Sequence, residues 1–276
     1  MPKVPVELAG VPETLLWTLW YRAEEARRPD TVLEDPLAID LVERIDYPFA
    51  ERFGPTAGVV AQGQALRSLC FDQEVRRFMA DHPGGTVVAL GEGLETAFQR
   101  IDDGRVRWLG VDLPETVAVR ESLLGDEGPR HRSLARSALD VSWMDEVDAG
   151  AGVLITAQGL LMYLEEPDVR GLLGACAATF PGCALVFDTA PRVFTALARR
   201  GALKTPGGFV APPMPWGMDA GGRRALARAI PGIEAIDELP LPRGRGNLWS
   251  AVAPLYTRVP IIGGWRLTVC RARFHG

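Results

Sequence analysis

The sequence predicts an α/β fold in which helices cover both faces of a mainly parallel, doubly wound sheet. Short apolar runs alternate with helical patterns through the middle of the 276-residue chain, as in repeated strand–helix units. Residues 87–90 are continuously apolar, which is typical of a parallel strand buried on both faces. Two glycines follow this strand and an acid ends the next one, which is the outline of a nucleotide-cofactor site.

Composition predicts one large globular domain. Hydrophobic residues make up 47% of the chain and charged residues 24%, values that exclude a largely disordered protein. The net charge of −5 leaves no basic footprint for nucleic acid. No segment approaches the roughly 20 apolar residues that span a bilayer, and the N-terminus lacks the apolar core of a signal peptide. We therefore expect a cytoplasmic protein with neither nucleic acid nor membrane as a partner.

The cysteines and histidines do not predict a metal site. The four cysteines form no CxxC pair and do not cluster in sequence with the three histidines. We expect no metal ion, and we expect most of the cysteines to be buried thiols.

Three helices precede the first strand of the sheet. Residues 12–28 form the first, because apolar residues recur at helical spacing between Pro12 and the basic pair Arg27 and Arg28. A short amphipathic helix follows at residues 35–45, and a longer helical stretch runs through residues 59–79. We interpret residues 1–82 as a helical cap on the sheet.

The predicted strands follow in order, with helices between several of them. They lie at residues 86–90, 108–112, 133–137, 153–157, 185–188, 233–239 and 266–273. Helical patterns at residues 95–101, 115–124 and 167–180 alternate with them, which favours parallel pairing. Residues 86–190 are thus the predicted cofactor-binding core.

The end of the chain departs from this alternation. Residues 191–231 are rich in proline and glycine, and their length predicts an insertion that forms a lid. Residues 232–276 hold the C-terminal strands, of which the last, GGWRLTVCRARF, alternates apolar and polar residues. That alternation predicts an antiparallel edge strand with one face in water. The four segments together form a single domain.

The glycine turn indicates the charge of the ligand. A pyrophosphate-binding fingerprint reads GxGxxG, whereas residues 91–96 read GEGLET, with acids at Glu92 and Glu95 that would repel a phosphate. Asp112, about 20 residues beyond the turn, is placed to accept hydrogen bonds from ribose hydroxyls. A ligand with a ribose and positive charge, such as S-adenosylmethionine, fits better than NAD. The alternative is a purely structural turn.

Six motifs, read together, resemble the leucine carboxyl methyltransferase superfamily, and most closely its bacterial branch related to tetracenomycin-type polyketide carboxyl methyltransferases. They are ETLLWTLWYRAEEARRPD with DPLA, LRSLCFD, VVALGEGLET, VDLPE, SALDVSW and ITAQGLLMYL, in that order. The resemblance covers nearly the whole chain. It implies the class I S-adenosylmethionine-dependent methyltransferase fold, a Rossmann-like seven-stranded sheet, with S-adenosylhomocysteine as the product of the cofactor.

The resemblance also implies roles for particular residues. The implied cofactor set is Arg67, Gly91, Glu92, Gly93, Asp112, Leu113, Leu139, Asp140, Gln158 and Gly159. Arg67 would pair with the cofactor's carboxylate, or else be a surface arginine that balances Asp72. The glycines would underlie the methionine moiety, and Asp112 would hold the ribose. Asp140 would accept from the adenine amino group, or else cap a helix.

Two departures from the wider family pattern affect charge. Many relatives carry an AGLDTR-like turn and an AEG-like end of the fourth strand, where this chain has EGLETA and AQG. Ala97 therefore removes an arginine, and Gln158 removes a negative charge that would face the cofactor's ammonium. We expect Glu92 to supply that charge from the opposite side.

The acceptor is predicted from the shortage of bases. A carboxylate, with a pKa of about 4, needs no base at neutral pH, whereas a phenol with a pKa of about 10 profits from one. His82, His131 and His275 all lie outside the motifs, His131 in a polar loop. This favours methylation of a small carboxylic acid over a phenol, although an Asp, a Glu or Tyr163 remains a candidate catalytic base. The resemblance implies a polyketide-like acid or another acid of specialised metabolism.

The acceptor pocket should be built from parts outside the sheet. Tyr21, Arg22 and Trp216 are the candidate acceptor-binding residues, and Arg22 would meet an anionic acceptor. The alternatives are core packing for Trp216 and a solvated helix position for Arg22. Two rival functions stay open: a methyltransferase-fold protein that binds cofactor without catalysis, and an NAD-dependent oxidoreductase.

Overall fold

The computed structural model describes residues 3–55, 58–219, 221–246 and 267–276. The strands in these ranges are β1 (Val4–Pro5), β2 (Ile45–Asp46), β3 (Thr86–Leu90), β4 (Arg107–Asp112), β5 (His131–Ala135), β6 (Val153–Ala157), β7 (Ala184–Thr189), β8 (Ile233–Leu239) and β9 (Thr268–Phe274). The helices are α1 (Thr14–Ala26), α2 (Pro36–Arg44), α3 (Phe49–Phe53), α4 (Gly58–Asp81), α5 (Ala97–Ile101), α6 (Pro114–Leu124), α7 (Glu166–Thr179), α8 (Arg192–Arg199) and α9 (Gly222–Ala229). Two 3₁₀ turns lie at Val141–Glu146 and Leu161–Tyr163.

Seven strands form one sheet in the order β5-β4-β3-β6-β7-β9-β8. Neighbours from β5 through to β7 pair in parallel, and β9 is antiparallel to both β7 and β8. The strand order reverses between β3 and β6, and α/β proteins bind their ligands in the crevice that such a reversal leaves at the carboxyl ends of the strands. The predicted seven-stranded, doubly wound sheet is confirmed.

Burial explains why the central strands are apolar throughout. Alternate residues of β3 point to opposite sides of the sheet, so that Val88 packs in one core cluster and Val87 in another. Ile155 and Leu154 of β6 divide between the same two clusters. Both faces of the sheet are therefore covered, as continuous apolar strands predict.

The N-terminal helices form a third apolar cluster beside the sheet. Leu16 and Leu19 of α1 are fully buried there, together with Phe53 of α3. Leu94, from the turn after β3, belongs to the same cluster. The cap therefore packs directly on the loop that the sequence analysis assigns to the cofactor. No helix in the described ranges is long and apolar enough to cross a membrane.

One strand differs from its predicted place. The last strand was expected at the edge, but β9 lies inside the sheet between β7 and β8, and the edge strand is β8. The alternating charges of β9 have partners: Arg271 bonds to Glu74 at 3.1 Å, and Arg273 lies 3.5 Å from Asp237. The arginines that produce the alternation are paired and also partly exposed to water. Arg266, the predicted first residue of this strand, lies outside the described residues.

The insertion at residues 191–231 contains secondary structure of its own. Helices α8 and α9 lie within it, and Phe209, Met214 and Trp216 are buried. Phe209 packs edge-on against Trp17 of α1, with ring centroids 5.7 Å apart. The insertion thus packs in part on the cap.

Candidate functional site

A cavity of about 330 Å³ opens at the carboxyl ends of β3, β4 and β6. Its volume is in the range of small-molecule sites. Its walls come from α1, α4 and the segments after β3, β4, β5 and β6. Predicted cofactor residues that line it are Arg67, Gly91, Glu92, Gly93, Asp112, Leu113, Leu139, Gln158 and Gly159.

The glycine turn after β3 presents bare backbone to this cavity. Gly91 and Gly93 have φ values of +65° and +55°, the left-handed region that favours glycine. A Cβ at Gly91 would lie 3.2 Å from Leu160, and one at Gly93 would lie 3.3 Å from Leu15. Side chains at either position would therefore be strained and would fill the space that a ligand needs.

Asp112, at the end of β4, is joined to the glycine turn. Its Oδ2 accepts from the Gly93 amide at 2.7 Å, and its Oδ1 accepts from the Leu113 amide at 2.8 Å. Burial raises the pKa of Asp112 above its ordinary value, against the opposing effect of these two amides. Thr116 also bonds to this carboxylate, which has further lone pairs that can accept a hydrogen bond from a ligand.

Arg67 of α4 is buried, with 7% of its surface exposed. Its Nη1 donates to Asp188 Oδ2 at 2.8 Å, while its Nε has no partner among the described residues. The surface alternative, in which it balances Asp72, is wrong, because Asp72 pairs with Arg100 at 2.9 Å. Arg67 is therefore a buried guanidinium on the wall of the cavity, paired with Asp188 at Nη1, and such a group can bind an anionic ligand group such as a carboxylate.

Asp188, at the end of β7, is a site residue that sequence reasoning missed. Besides Arg67 it binds the Gly159 amide, whose nitrogen lies 2.6 Å from its Oδ1. It therefore joins α4 to the loop after β6. The signal was present in the sequence, since an acid at the carboxyl end of a parallel strand faces the ligand edge of the sheet.

A second buried charge network lies around Glu95. The Arg22 Nη1 and Arg100 Nη1 donate to its two oxygens at 2.6 and 2.8 Å. Ser68 also donates to Glu95, at 3.2 Å. Burial by itself raises the pKa of Glu95, but the two guanidinium groups outweigh it and hold this pKa well below its ordinary value. Arg100, one turn after Ala97, supplies the arginine that position 97 lacks.

Arg22 does not have the role expected from the sequence. Its Nε donates to Asp35 at 3.2 Å and its Nη2 to the Leu94 carbonyl at 2.8 Å, in addition to the bond to Glu95. All three of its nitrogens are engaged and only 3% of its surface is exposed. The prediction that it meets an anionic acceptor is corrected: Arg22 ties α1 to the turn after β3, and it is not a solvated helix residue either.

Gln158 faces the cavity in a defined orientation. Its Nε2 donates to Glu95 Oε2 at 2.8 Å and lies 3.1 Å from Ser68 Oγ. Because a carboxylate only accepts hydrogen bonds, the amide nitrogen must be the atom that faces Glu95. The Gln158 carbonyl oxygen is thereby left as the acceptor at this point of the site.

Glu92 does not compensate for the charge lost at Gln158. Its carboxylate accepts from Trp108 Nε1 at 2.7 Å and contacts His131 Nε2 at 3.1 Å and Arg120 Nε at 3.4 Å. Glu92 lines the cavity, but both of its carboxylate oxygens already have partners within the protein, so the structure does not support the expected pairing with a cofactor ammonium. His131 likewise is buried at the start of β5 rather than placed in a polar loop.

Asp140 lies at the rim of the site. Its Oδ1 accepts from the Ser142 amide at 3.2 Å and the Ser142 hydroxyl at 2.6 Å, which caps the 3₁₀ turn that follows. Its side chain is 58% exposed, and Asp140 is not among the residues that line the cavity. The structure thus supports the capping alternative, while Leu139 beside it does line the cavity.

Two of the candidate acceptor residues, Tyr21 and Trp216, lie in the core. Tyr21 is buried against Trp17, with ring centroids 5.8 Å apart, and Trp216 against Phe187 at 6.3 Å. Neither lines the cavity, so both expectations are corrected to core packing. Arg22 does line the cavity, and further lining residues are Val11, Pro12, Thr14, Leu15, Thr18, Phe71 and Val75 from the cap and Leu160, Tyr163 and Leu164 from the segment after β6.

Tyr163 lies on the cavity wall within hydrogen-bonding reach of Thr14. Burial raises the pKa of Tyr163 to about 12, against smaller opposing effects of Thr14 and Arg67. Its hydroxyl is therefore protonated at neutral pH and can donate a hydrogen bond. Its role as a base stays a prediction, which this protonation state does not favour. Within the described ranges, no group of three histidine, cysteine or acidic residues is placed to hold a metal ion.

The chain is similar to known methyltransferases in sequence and in fold. The family model of the leucine carboxyl methyltransferases matches residues 15–177. The tetracenomycin polyketide synthesis O-methyltransferase TcmP of Streptomyces glaucescens is 33% identical over 229 residues, 83% of this chain and 82% of its own. A candidate S-adenosyl-L-methionine-dependent methyltransferase of Parafrankia sp. (strain EAN1pec) is 33% identical over 66% of this chain and 64% of its own. The fold matches a candidate methyltransferase structure from Thermobifida fusca YX with a TM-score of 0.53, covering 94% of each chain at 15% identity.

Proposed function

Because the chain belongs to the leucine carboxyl methyltransferase family and is an S-adenosylmethionine-dependent O-methyltransferase, we propose that it methylates a carboxylate of a small acid to a methyl ester. Tyr163 carries the proposal. Its hydroxyl lies on the cavity wall with a pKa raised to about 12. It can donate a hydrogen bond to an anionic acceptor, but at neutral pH it cannot take a proton from a phenol.

The cofactor would be held by residues that the cavity brings together. The Arg67 guanidinium, which lines the cavity, would bind the amino-acid carboxylate, and the Gln158 carbonyl oxygen would accept from the ammonium group. Asp112 would accept from the ribose hydroxyls, and the exposed sides of Leu113 and Leu139 would flank the adenine. The contact of Asp140 with the adenine amino group remains a prediction.

The transfer is an in-line displacement. The bound cofactor supplies an electrophilic methyl carbon attached to a positively charged sulfur. An acceptor oxygen bonds to that carbon as the carbon–sulfur bond breaks, so alignment is the main contribution of the protein. A carboxylate, with a pKa of about 4, is ionised without help at neutral pH.

The chain's own side chains would align the acceptor. Tyr163 places a hydroxyl on the wall, where it can donate to the acceptor oxygen that does not react, while the Thr14 hydroxyl donates to the Val11 carbonyl at 2.7 Å. Val11, Leu15 and Phe71 add an apolar surface to the same wall. In such surroundings the attraction between an anionic acceptor and a cationic cofactor is stronger than in water.

We further propose that the acceptor is an aromatic, polyketide-like acid of specialised metabolism. TcmP carries a name that refers to tetracenomycin polyketide synthesis, and this chain aligns with 82% of it. The apolar side chains of the cavity wall, among them Phe71, Val75 and Leu160, are suited to a flat hydrophobic body.

The test uses pairs of aromatic acceptors that carry either a carboxyl or a hydroxyl group on the same ring system. We expect a methylated product that mild alkali hydrolyses, formed at a rate nearly constant from about pH 6 to 9, because the carboxylate is already ionised. The variant Tyr163→Phe should raise KM for the acceptor and leave this pH profile flat. An alkali-stable methyl ether, formed at a rate that rises with pH, would contradict the proposal.

A further inference from the structure

A buried charged cluster lies next to the glycine turn. No step of the proposed reaction uses it. Its members are Glu92, Trp108, Arg120, Glu127 and His131. The side chain of Arg120 is 2% exposed, and those of Glu92 and Glu127 are 4% and 6% exposed. The cluster thus places one guanidinium and two carboxylates in the interior beside the turn, and two of its members, Glu92 and Trp108, also line the cavity.

Arg120 of α6 binds the turn itself. Its Nη1 donates to the Gly93 carbonyl at 2.9 Å and to the Glu95 carbonyl at 2.8 Å. Its Nε and Nη2 donate to the two oxygens of Glu127 at 2.7 and 2.6 Å, which fixes the plane of the guanidinium. Arg120 is thereby oriented on one side by a carboxylate and bound on the other side to two backbone carbonyls.

Gly93 is held at both of its polar backbone atoms. Its carbonyl accepts from Arg120, and its amide donates to Asp112 Oδ2 at 2.7 Å. Because Gly93 has a φ of +55°, its conformation depends on these contacts rather than on a side chain. A continuous chain of hydrogen bonds therefore runs from Glu127 through Arg120 and Gly93 to the carboxylate that would receive the ribose.

Glu92, within the glycine turn, completes the cluster. Its carboxylate lies over Gly110 of β4, where an added Cβ would overlap its Oε2. Trp108 and His131 bind Glu92 Oε1, which leaves Oε2 toward Arg120. Buried ion pairs of this kind are often no more stabilising than apolar residues of the same size. In this protein, the role of these ion pairs is to hold the Arg120 guanidinium in place.

We propose that Arg120 is a positioning residue for cofactor binding, acting through Gly93 and Asp112. This inference rests on the assignment of the cavity to S-adenosylmethionine, and it does not depend on the nature of the acceptor. It predicts that cofactor affinity responds to Arg120, although this residue touches no ligand.

The test measures the Kd of S-adenosylhomocysteine by calorimetry, with no acceptor present, alongside the thermal midpoint. Arg120→Lys keeps the charge but cannot bind both carbonyls and Glu127 together, and we expect its Kd to rise about 10- to 100-fold, as for hydrogen bonds to a charged group. The matched control is Arg271→Lys, because Arg271 binds a carboxylate, Glu74, at 3.1 Å and is not bonded to the turn. Its Kd should stay within about twofold of the wild-type value.

A second variant keeps the test decisive if Arg120→Lys does not fold. Glu127→Gln leaves Arg120 in place but removes the charge that orients it, and the Kd should rise about threefold or more. If the variants melt at lower temperature but bind S-adenosylhomocysteine as tightly as wild type, the cluster only stabilises the fold and the proposal is wrong. Failure of the wild-type protein to bind S-adenosylhomocysteine would instead overturn the cofactor assignment.

Discussion

Replacing Asp188 with asparagine would test how Arg67 is held in the cavity. The side chains of Arg67 and Asp188 are 8% and 0% exposed, and their contact is 2.8 Å long. Asparagine keeps the shape of the side chain and removes the charge. It also leaves one oxygen to serve two donors, the Arg67 guanidinium and the Gly159 amide, where aspartate offers two.

We expect Asp188→Asn to lower the free energy of unfolding by a large amount for a single isosteric change. Removing one partner of a buried ion pair costs about 3–5 kcal/mol, because the other charge stays buried without compensation. At about 2–4 °C per kcal/mol for a protein of this size, the thermal midpoint should fall by about 6–20 °C. The control Asp237→Asn removes an exposed partner of Arg273, a kind of pair that contributes at most about 1 kcal/mol.

Circular dichroism melts would measure the thermal midpoint of Asp188→Asn, first without ligand and then with S-adenosylhomocysteine. If Arg67 binds the amino-acid carboxylate of the ligand, saturating ligand supplies the anion that the variant lacks. It should then raise the midpoint of Asp188→Asn by more degrees than that of wild type. A decrease in the free energy of unfolding of less than about 1 kcal/mol would refute the reasoning, because breaking a buried ion pair costs several times more. Equal ligand-induced shifts of the midpoint in the variant and in wild type would refute it as well.

Two further predictions concern the network around Glu95. Gln158→Glu would place a second carboxylate against Glu95 Oε2, now 2.8 Å from the Gln158 amide nitrogen. Because like charges repel, the thermal midpoint of the ligand-free protein should fall, and S-adenosylhomocysteine, which carries an ammonium group, should raise that midpoint by more degrees than in wild type. An unchanged midpoint without ligand would contradict the orientation assigned to Gln158. The pKa of Glu95 is depressed in the folded protein, so the stability it contributes is present above its ordinary value of 4.5 and is lost as pH falls below it. Urea midpoints should therefore drop between about pH 6 and 3, and less steeply in Glu95→Gln than in wild type.

The fold was predictable because its signals are local. Continuous apolar runs define β3 and β6, and the glycine turn with Asp112 marks the ligand edge without knowledge of any distant residue. The antiparallel direction of β9 was also predicted correctly. Its place inside the sheet was not, because the partners that neutralise its arginines belong to α4 and β8, elsewhere in the chain.

The side-chain contacts of the site were less predictable, because they join distant parts of the sequence. Arg22 meets Glu95 across 73 positions, and Arg67 meets Asp188 across 121. No periodicity reports such pairs, so Arg22 looked available for an acceptor and Asp188 passed unnoticed. For Glu92, the side of the turn that its carboxylate takes depends on the space that Gly110 leaves in the next strand.

The overlap between Gly110 and Glu92 has a consequence for how this protein can evolve or be engineered. Substitutions at the two positions should be coupled, because a larger residue at position 110 would collide with the Glu92 carboxylate. A smaller residue at position 92, introduced together with it, would remove the collision. Mutational scans that change one position at a time would score both as intolerant. Libraries that vary the pair together would reach sequences that neither single change permits.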